Sequence, residues 1–123
     1  MAGNPSRTAR VFKIVRRSDW IEAVARGDFR GSGDDHRHGF IHLSAGDQLA
    51  GTAAKHFRHV EGLILVAFNI GDLAANLKWE VSRGGELFPH YYGPLPARAA
   101  LWTRPMPLGC DGIPVVPVDV TVC

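Results

Sequence analysis

The sequence predicts an α+β fold with two main helices in its N-terminal half and a second half made mostly of strands. Three observations lead to this prediction. Helical and strand patterns alternate as far as residue 68, and mainly strand patterns follow. Residues 62–68 are continuously apolar, as in a strand that is covered on both faces. No linker divides the 123 residues, so we expect a polar leader over residues 1–10 and one domain over residues 11–123.

The first strand and the first helix are expected within residues 11–27. The β-branched, weakly alternating segment 11–15 predicts a strand. Ser18 is a typical N-cap for a short helix, and Gly27 is a typical residue at which such a helix ends. The apolar residues that recur at helical spacing, and that we expect on the inner face, are Trp20, Ile21, Val24 and Ala25.

A polar loop, a short strand and the second helix are expected over residues 30–58. Residues 30–39 are mainly Gly, Asp and His, which is typical of a loop, and loops of this length often carry function. The apolar segment 40–43 predicts a strand, and Ser44 is expected to cap a helix over about residues 46–58. The apolar stripe of that helix consists of Leu49, Ala50, Ala53, Ala54 and Phe57.

Strand patterns dominate the second half. Residues 72–76 predict one helical turn, and Gly84 with Gly85 predicts a turn between strands. Besides the buried strand at 62–68, the segments with strand composition are 77–81, 88–92, 99–103 and 115–122.

Composition and charge exclude several classes of protein. An apolar fraction of 46% with a net charge of +2 argues against a disordered chain. The near balance of positive and negative residues neither predicts nor excludes a nucleic-acid partner, so none is indicated. The longest apolar run has six residues, against the roughly 20 of a spanning helix, and the polar start lacks a signal-peptide core. We therefore expect a cytoplasmic protein with no membrane partner.

The common metal and nucleotide motifs are missing from the chain. It contains no GxGxxG, Walker, HExxH or GxSxG sequence. Cys110 and Cys123 form no CxxC pair, so we expect two reduced thiols and leave a bridge between them open. His36 and His38 have metal-ligand spacing, but no third ligand is fixed, and a solvated loop is favoured over a metal site that also uses His42.

His42 is the histidine with the most informative surroundings. Period-two alternation places it on one strand face with Phe40 and Ser44, opposite Ile41 and Leu43. A buried imidazole needs partners for its ring nitrogens, because an unpaired polar group costs about 1–3 kcal/mol. His42 is therefore either a core histidine bonded to backbone or a ligand-facing donor beside a helix N-terminus.

Aromatic, Pro and Gly residues surround His90 in the segment 87–94. This composition is typical of a ligand-pocket wall and equally of a tightly packed corner. Earlier in the chain, Trp79 offers a stacking ring, and Glu80, on the opposite strand face, is either a base or an exposed charge. Arg83 follows that strand and is a candidate clamp for an anion.

Several sequence phrases together resemble one family. They are GFIHLS at residues 39–44 followed by Gln48 and Thr52, KWE at 78–80, FPHYYGPLP at 88–96, and FKI at 12–14 with Trp20. In combination they resemble the domain of unknown function 952, a family of small bacterial proteins, over residues 11–103.

The resemblance implies an ADP-ribosyltransferase-like fold, in which a split and strongly bent sheet surrounds a cleft for NAD. Residues 40–44 are also similar to a His-containing strand of RNA 2′-phosphotransferases, which share that fold and use NAD. This similarity implies that His42 lies beside the nicotinamide ribose, with Ser44 close to it. Lys13 stands where such enzymes usually carry a His or Arg that holds a ribose hydroxyl.

The chain also departs from these enzymes. The strand that begins at His90 stands where many of them carry a Glu that stabilises positive charge in the transition state. A carboxylate does this better than a neutral imidazole, so Glu80 or Glu86 is a candidate substitute. No equivalent is found for the set of arginines that holds phosphate in RNA 2′-phosphotransferases.

We therefore expect the cleft to bind NAD or another nucleotide-like ligand, with transferase activity as a further hypothesis. The candidate catalytic residues are His42, Glu80 and His90. The candidate ligand-binding residues are Lys13, Ser44, Trp79, Arg83 and Tyr92, with Trp79 or Tyr92 stacked on a ring. The alternative is a non-catalytic ligand-binding or protein-interaction module that retains the fold, in which the histidines are packing residues.

Overall fold

The computed structural model describes residues 10–117. Within this range the chain forms eight β-strands and four α-helices, which confirms the predicted mixture. The strands are β1 (Arg10–Arg16), β2 (Asp28–Phe29), β3 (Ile41–His42), β4 (Leu63–Asn69), β5 (Leu77–Val81), β6 (Leu87–Tyr91), β7 (Leu95–Pro96) and β8 (Ala100–Met106). The helices are α1 (Arg17–Arg26), α2 (Asp34–His38), α3 (Leu49–His56) and α4 (Ile70–Leu73). Four 3₁₀ turns are Gly46–Gln48, Ala74–Asn76, Arg83–Gly85 and Ala97–Ala99.

The strand β4 is the centre of a three-stranded antiparallel sheet of order β1–β4–β8. Every residue of β4 except Asn69 is buried. One side of the sheet is covered by the cluster that contains Ile64, Val66 and Phe68. The other side is covered by the cluster that contains Leu63, Leu65 and Ala67. Because β4 has a partner at both edges and a core on both faces, its sequence is continuously apolar.

A second three-stranded sheet has the order β3–β6–β5 and is also antiparallel. His42 pairs with His90, and His90 pairs with Lys78. Side chains alternate along a strand, so Glu80 lies on the same face as the two histidines and Trp79 lies on the opposite face. The predicted separation of Glu80 from Trp79 is confirmed.

The two three-stranded sheets join at Ser44. The N–H of Phe12 in β1 donates to the carbonyl of Ser44 at 2.8 Å, and the N–H of Ser44 donates back to Phe12 at 2.9 Å. This bridge carries the chain directly from β3 to the edge of the first sheet. β2 and β7 form a separate two-stranded sheet.

The first helix is correctly placed, but its capping and its inner face were predicted wrongly. It begins at Arg17, so Ser18 lies inside its first turn, and Gly27 ends it in the left-handed conformation as predicted. Trp20 and Ala23 are its buried residues. The predicted inner residues Ile21 and Val24 are 60% and 57% exposed. The buried contact with β1 and β2 is therefore a narrow strip rather than the wider stripe that the periodicity suggested.

The segment predicted as a loop contains the short helix α2. Its buried residue is Asp35, a charged residue. The helix therefore lacks the apolar stripe by which an amphipathic helix is recognised in a sequence. The next helix is also shorter than predicted, since α3 follows a 3₁₀ turn and ends at His56. Ser44 does not cap it, because its hydroxyl contacts Thr52 at 3.2 Å. The N–H of Ala45 instead donates to the Gln48 side chain at 2.9 Å.

The expected strand over residues 115–122 is not formed in its described part, because residues 115–117 belong to no strand. The rest of that prediction, Cys123 and residues 1–9 of the expected leader lie outside the described residues. Cys110 is an exposed free thiol. Among residues 10–117, the helices are too short or too polar to cross a membrane.

A candidate ligand-binding cleft

A cleft of about 680 Å³ lies where the two three-stranded sheets meet. Its size is in the range of small-molecule sites. Five of the predicted site residues line it, namely Lys13, His42, Ser44, Arg83 and His90. The other three, Trp79, Glu80 and Tyr92, are not among the lining residues.

His42 is held in the cleft wall by Asp35. The Nδ1 atom of His42 lies 2.7 Å from Oδ1 of Asp35, and the backbone N–H of His42 donates to the same oxygen at 2.9 Å. The ammonium of Lys13 donates to Oδ2 of Asp35 and to the carbonyl of His42, both at 3.0 Å. Lys13 therefore forms a buried ion pair with Asp35, and its second hydrogen bond fixes the backbone of His42 in β3.

The charges of this group are strongly coupled. Burial opposes ionisation of Asp35, but the hydrogen bonds from His42 and the charge of Lys13 outweigh it and lower its pKa to about 2. Burial lowers the pKa of Lys13, and the Asp35 carboxylate acts against that shift. Asp35 is therefore a carboxylate at neutral pH, and it accepts the Nδ1–H of His42.

His90 is held in the same way by Glu80, from the neighbouring strand. The Nδ1 atom of His90 lies 2.8 Å from Oε1 of Glu80, which also accepts the hydroxyl of Tyr92 at 2.8 Å. The His90 ring stacks on Phe40 with 3.9 Å between centroids. Burial lowers the pKa of His90, and the hydrogen bond that its Nδ1–H donates to Glu80 acts against that shift.

The second ring nitrogen of His90 has no partner in the part of the chain that the structure describes. With Nδ1–H donated to Glu80, the neutral ring leaves Nε2 as an acceptor. Nε2 of His90 is buried and makes no hydrogen bond to any described residue. The ring lies 5.6 Å from that of His42, centroid to centroid, so the cleft wall carries two carboxylate–imidazole pairs side by side.

Sequence reasoning missed two partners of His42. Asp35 is one, and the other is His38, whose Nδ1 lies 2.9 Å from Nε2 of His42. Both come from α2, which was predicted as a loop. The HxH spacing at His36 and His38 was the only local signal in that segment.

A metal site that uses His36, His38 and His42 is not assembled. His36 Nε2 turns to the carbonyl of Gly31 at 2.9 Å instead. Within residues 10–117, no three His, Cys, Asp or Glu side chains are arranged to hold a metal ion.

The remaining predicted residues divide between the cleft and the core. Trp79 packs against the hydrophobic cluster on the other face of its sheet, so it is not brought to the cleft as a stacking ring. Glu80 and Tyr92 reach the cleft only through the His90 ring. Arg83 lies at the cleft, where Nη1 donates to Oγ1 of Thr52 at 3.2 Å.

Comparisons with known proteins agree with the phrases recognised in the sequence. A family model described as "Protein of unknown function (DUF952)" matches residues 14–103. The crystal structure of protein CC0527 from Caulobacter crescentus is 42% identical and superposes with a TM-score of 0.87, covering 92% of this chain and 99% of that chain. The solution NMR structure of CC0527 is 46% identical with a TM-score of 0.77, covering 85% of this chain and 90% of that chain. No curated protein matches significantly. The chain belongs to the DUF952 family.

Proposed function

We propose that the cleft is an ADP-ribosyltransferase-like site that binds a nucleotide-like ligand, with NAD as the first candidate. The family resemblance suggests this ligand class, and two sheets that join at a bridge around a cleft are consistent with a split, bent sheet. The observation that carries the proposal is the buried and unpaired Nε2 of His90.

An unpaired buried acceptor is costly in the free protein. Such an atom costs about 1–3 kcal/mol unless a hydrogen bond compensates it. His90 is 4% exposed and lines the cleft, so in this proposal the ligand displaces the contacts that cover Nε2 and donates a hydrogen bond to it. Hydroxyl and amide N–H groups, both present in NAD, are donors of the required kind.

The two histidines supply acid–base chemistry to that ligand. His90, neutral and anchored through Nδ1, accepts a proton at Nε2. His42, anchored by Asp35, is a second proton-transfer group only through His38, because Nε2 of His42 is paired with Nδ1 of His38, which also lines the cleft. Glu80 acts through the His90 ring and is a positioning residue. The geometry therefore supports binding and proton transfer more directly than cleavage of the bond to nicotinamide, which needs a carboxylate beside the ribose.

The test is a set of titrations with NAD, ADP-ribose and AMP up to millimolar concentration. Backbone amide chemical shifts, measured by NMR, monitor the binding. We expect shifts around the cleft, and a loss of affinity of about tenfold in His90→Gln, because one buried hydrogen bond is changed. His59→Gln, an exposed histidine outside the cleft lining, is the matched control and should bind as the wild type does. Absence of any shift with all three ligands would contradict the proposal, and nicotinamide release distinguishes transfer from binding.

A non-catalytic module is the second candidate, and the packing of the rings supports it. His90 stacks on Phe40, and each histidine is bonded to a carboxylate, so both contribute to stability without any ligand. In this case His42→Ala and His90→Ala lower the melting temperature and leave every ligand response unchanged.

A further inference from the structure

We infer that the end of the cleft formed by Lys55, Thr52 and Arg83 is a binding site for a phosphate group. This inference rests on the proposed function, because it assigns the phosphate of the nucleotide-like ligand to one end of the same cleft. The histidine pair then faces the sugar or base end. Two cationic side chains match the two negative charges of a phosphomonoester or a pyrophosphate.

The first argument is the uneven distribution of charge in the cleft. Lys13 also lines it, but Asp35 compensates its charge, and the cationic Arg16 lines it together with the acidic Asp19. Neither Lys55 nor Arg83 forms an ion pair with a carboxylate among residues 10–117. This end of the cleft therefore carries two uncompensated positive charges, which attract an anion.

The pKa of His56, the last residue of α3, is affected by the positive charges at this end of the cleft. Burial lowers the pKa of His56, and the positive charges of Arg83 and Lys55 lower it further. The ring also lines the cleft. A neutral His56 adds a hydrogen-bond donor to the two cations.

The second argument is that Arg83 is held in position before any ligand arrives. Nη1 donates to Thr52, and the guanidinium lies 4.7 Å from the centroid of the Phe88 ring. It also lies against Gly51, where an added Cβ would come within 3.1 Å of Nη2. Within residues 10–117 it donates one side-chain hydrogen bond, so four of its five N–H donors remain for a ligand, and the planar fork suits two phosphate oxygens.

The third argument is that hydroxyl groups connect this end of the cleft to the histidines. Thr52 donates to the carbonyl of Gln48 at 3.1 Å, so its oxygen accepts from Arg83 and from Ser44. Ser44 is two residues beyond His42 on the same strand face. A phosphate held by Arg83 thus places the attached sugar toward His42.

The experiment titrates the protein with inorganic phosphate, AMP and adenosine at constant ionic strength, and NMR chemical shifts monitor the binding of each. Arg83→Gln removes one charge, and Arg98→Gln removes one from an exposed arginine that does not line the cleft. Gly51→Ala keeps the net charge and displaces the guanidinium, while alanine is a better helix former than glycine. Thermal unfolding of each variant confirms that it is folded.

We expect millimolar phosphate to shift cleft signals in the wild type and in Arg98→Gln. Affinity for phosphate should fall about tenfold in Arg83→Gln, and it should also fall in Gly51→Ala. AMP should bind more tightly than adenosine, and this advantage should disappear in Arg83→Gln.

Equal weakening of phosphate binding in Arg83→Gln and Arg98→Gln would overturn the inference, as would equal affinity for AMP and adenosine. If AMP binds the wild type and Arg83→Gln alike, the phosphate site is wrong and the proposed ligand cleft stands. If neither AMP nor NAD binds, the proposed function itself fails.

Discussion

Asp35 is the residue on which the order of the cleft depends most. Its carboxylate accepts hydrogen bonds from Lys13, from the His42 ring and backbone, and from the N–H of Ser32. These donors come from three segments of the chain. Nothing in the local sequence singles Asp35 out, because its partners on β1 and β3 are brought to it only by folding.

We predict that Asp35→Asn destabilises the protein by about 3–5 kcal/mol at neutral pH. The substitution leaves the buried ammonium of Lys13 without its counter-charge, and removing one partner of a buried pair has a cost of this size. The control is Asp34→Asn, one residue earlier, which removes only an ion pair with Arg37 at the surface. Urea unfolding at pH 7 measures both, and equal losses in the two variants would contradict the prediction.

The same pair makes stability depend on pH in a defined direction. The pKa of Asp35 is about 2 in the folded protein, below its ordinary value of 3.8. A carboxyl whose pKa is lowered by folding contributes stability above the ordinary pKa and loses it as the pH falls through the folded value. Between about pH 4 and about pH 2, the stability difference between wild type and Asp35→Asn should therefore shrink by about 2 kcal/mol. A difference that stays constant over this range would show that Asp35 is not the group responsible.

At the scale of elements, Gly27 ends α1 with a backbone that only glycine adopts easily. Its φ is 108°, and its N–H donates to the carbonyl of Ala23. We predict that Gly27→Ala lowers stability by about 1–2 kcal/mol because of the left-handed backbone. Gly71→Ala, in α4, is the control, since neither glycine has a neighbour within 4 Å of an added Cβ and only Gly27 has a positive φ. The melting temperature of each variant measures the effect, and only that of Gly27→Ala should fall. An unchanged melting temperature in Gly27→Ala would refute the argument.

The existence of the main elements was predictable, and the details at their ends were not. Gly27 was recognised because a C-terminal glycine acts locally. Ser18 was wrongly predicted as a cap because the helix begins one residue earlier, at Arg17. Ser44 was wrongly predicted as a cap because its hydroxyl contacts Thr52, and the Gln48 side chain takes the N–H of Ala45. The helix α2 was missed because a buried ion pair, rather than an apolar stripe, holds it in place.

At the scale of the whole molecule, β4 joins two hydrophobic cores into one folding unit. Leu65 is fully buried in one cluster, and the adjacent Val66 is fully buried in the other. We predict that Leu65→Ala costs about 2–5 kcal/mol and that unfolding remains a single transition. Leu101→Ala, at a site 40% exposed on the neighbouring strand β8, should cost less than about 1 kcal/mol.

Circular dichroism in the far and near ultraviolet follows this unfolding. Trp20 lies in one cluster and Trp102 packs against the other, so the near-ultraviolet signal reports on both cores. Different midpoints at the two wavelengths would contradict the prediction of a single unfolding transition.

The family and the central strand β4 were predictable from the amino-acid sequence. So were the strand faces, which place His42 beside Ser44 and Glu80 opposite Trp79. These features depend on local stereochemistry and on alternation with a period of two, which can be read from neighbouring residues. The folded arrangement was needed to show that Asp35 holds His42, that Glu80 holds His90, and that the two rings share one cleft with Arg83. Such contacts depend on how strands pair and on where two sheets join, and no local pattern encodes the position of residues that are distant along the chain.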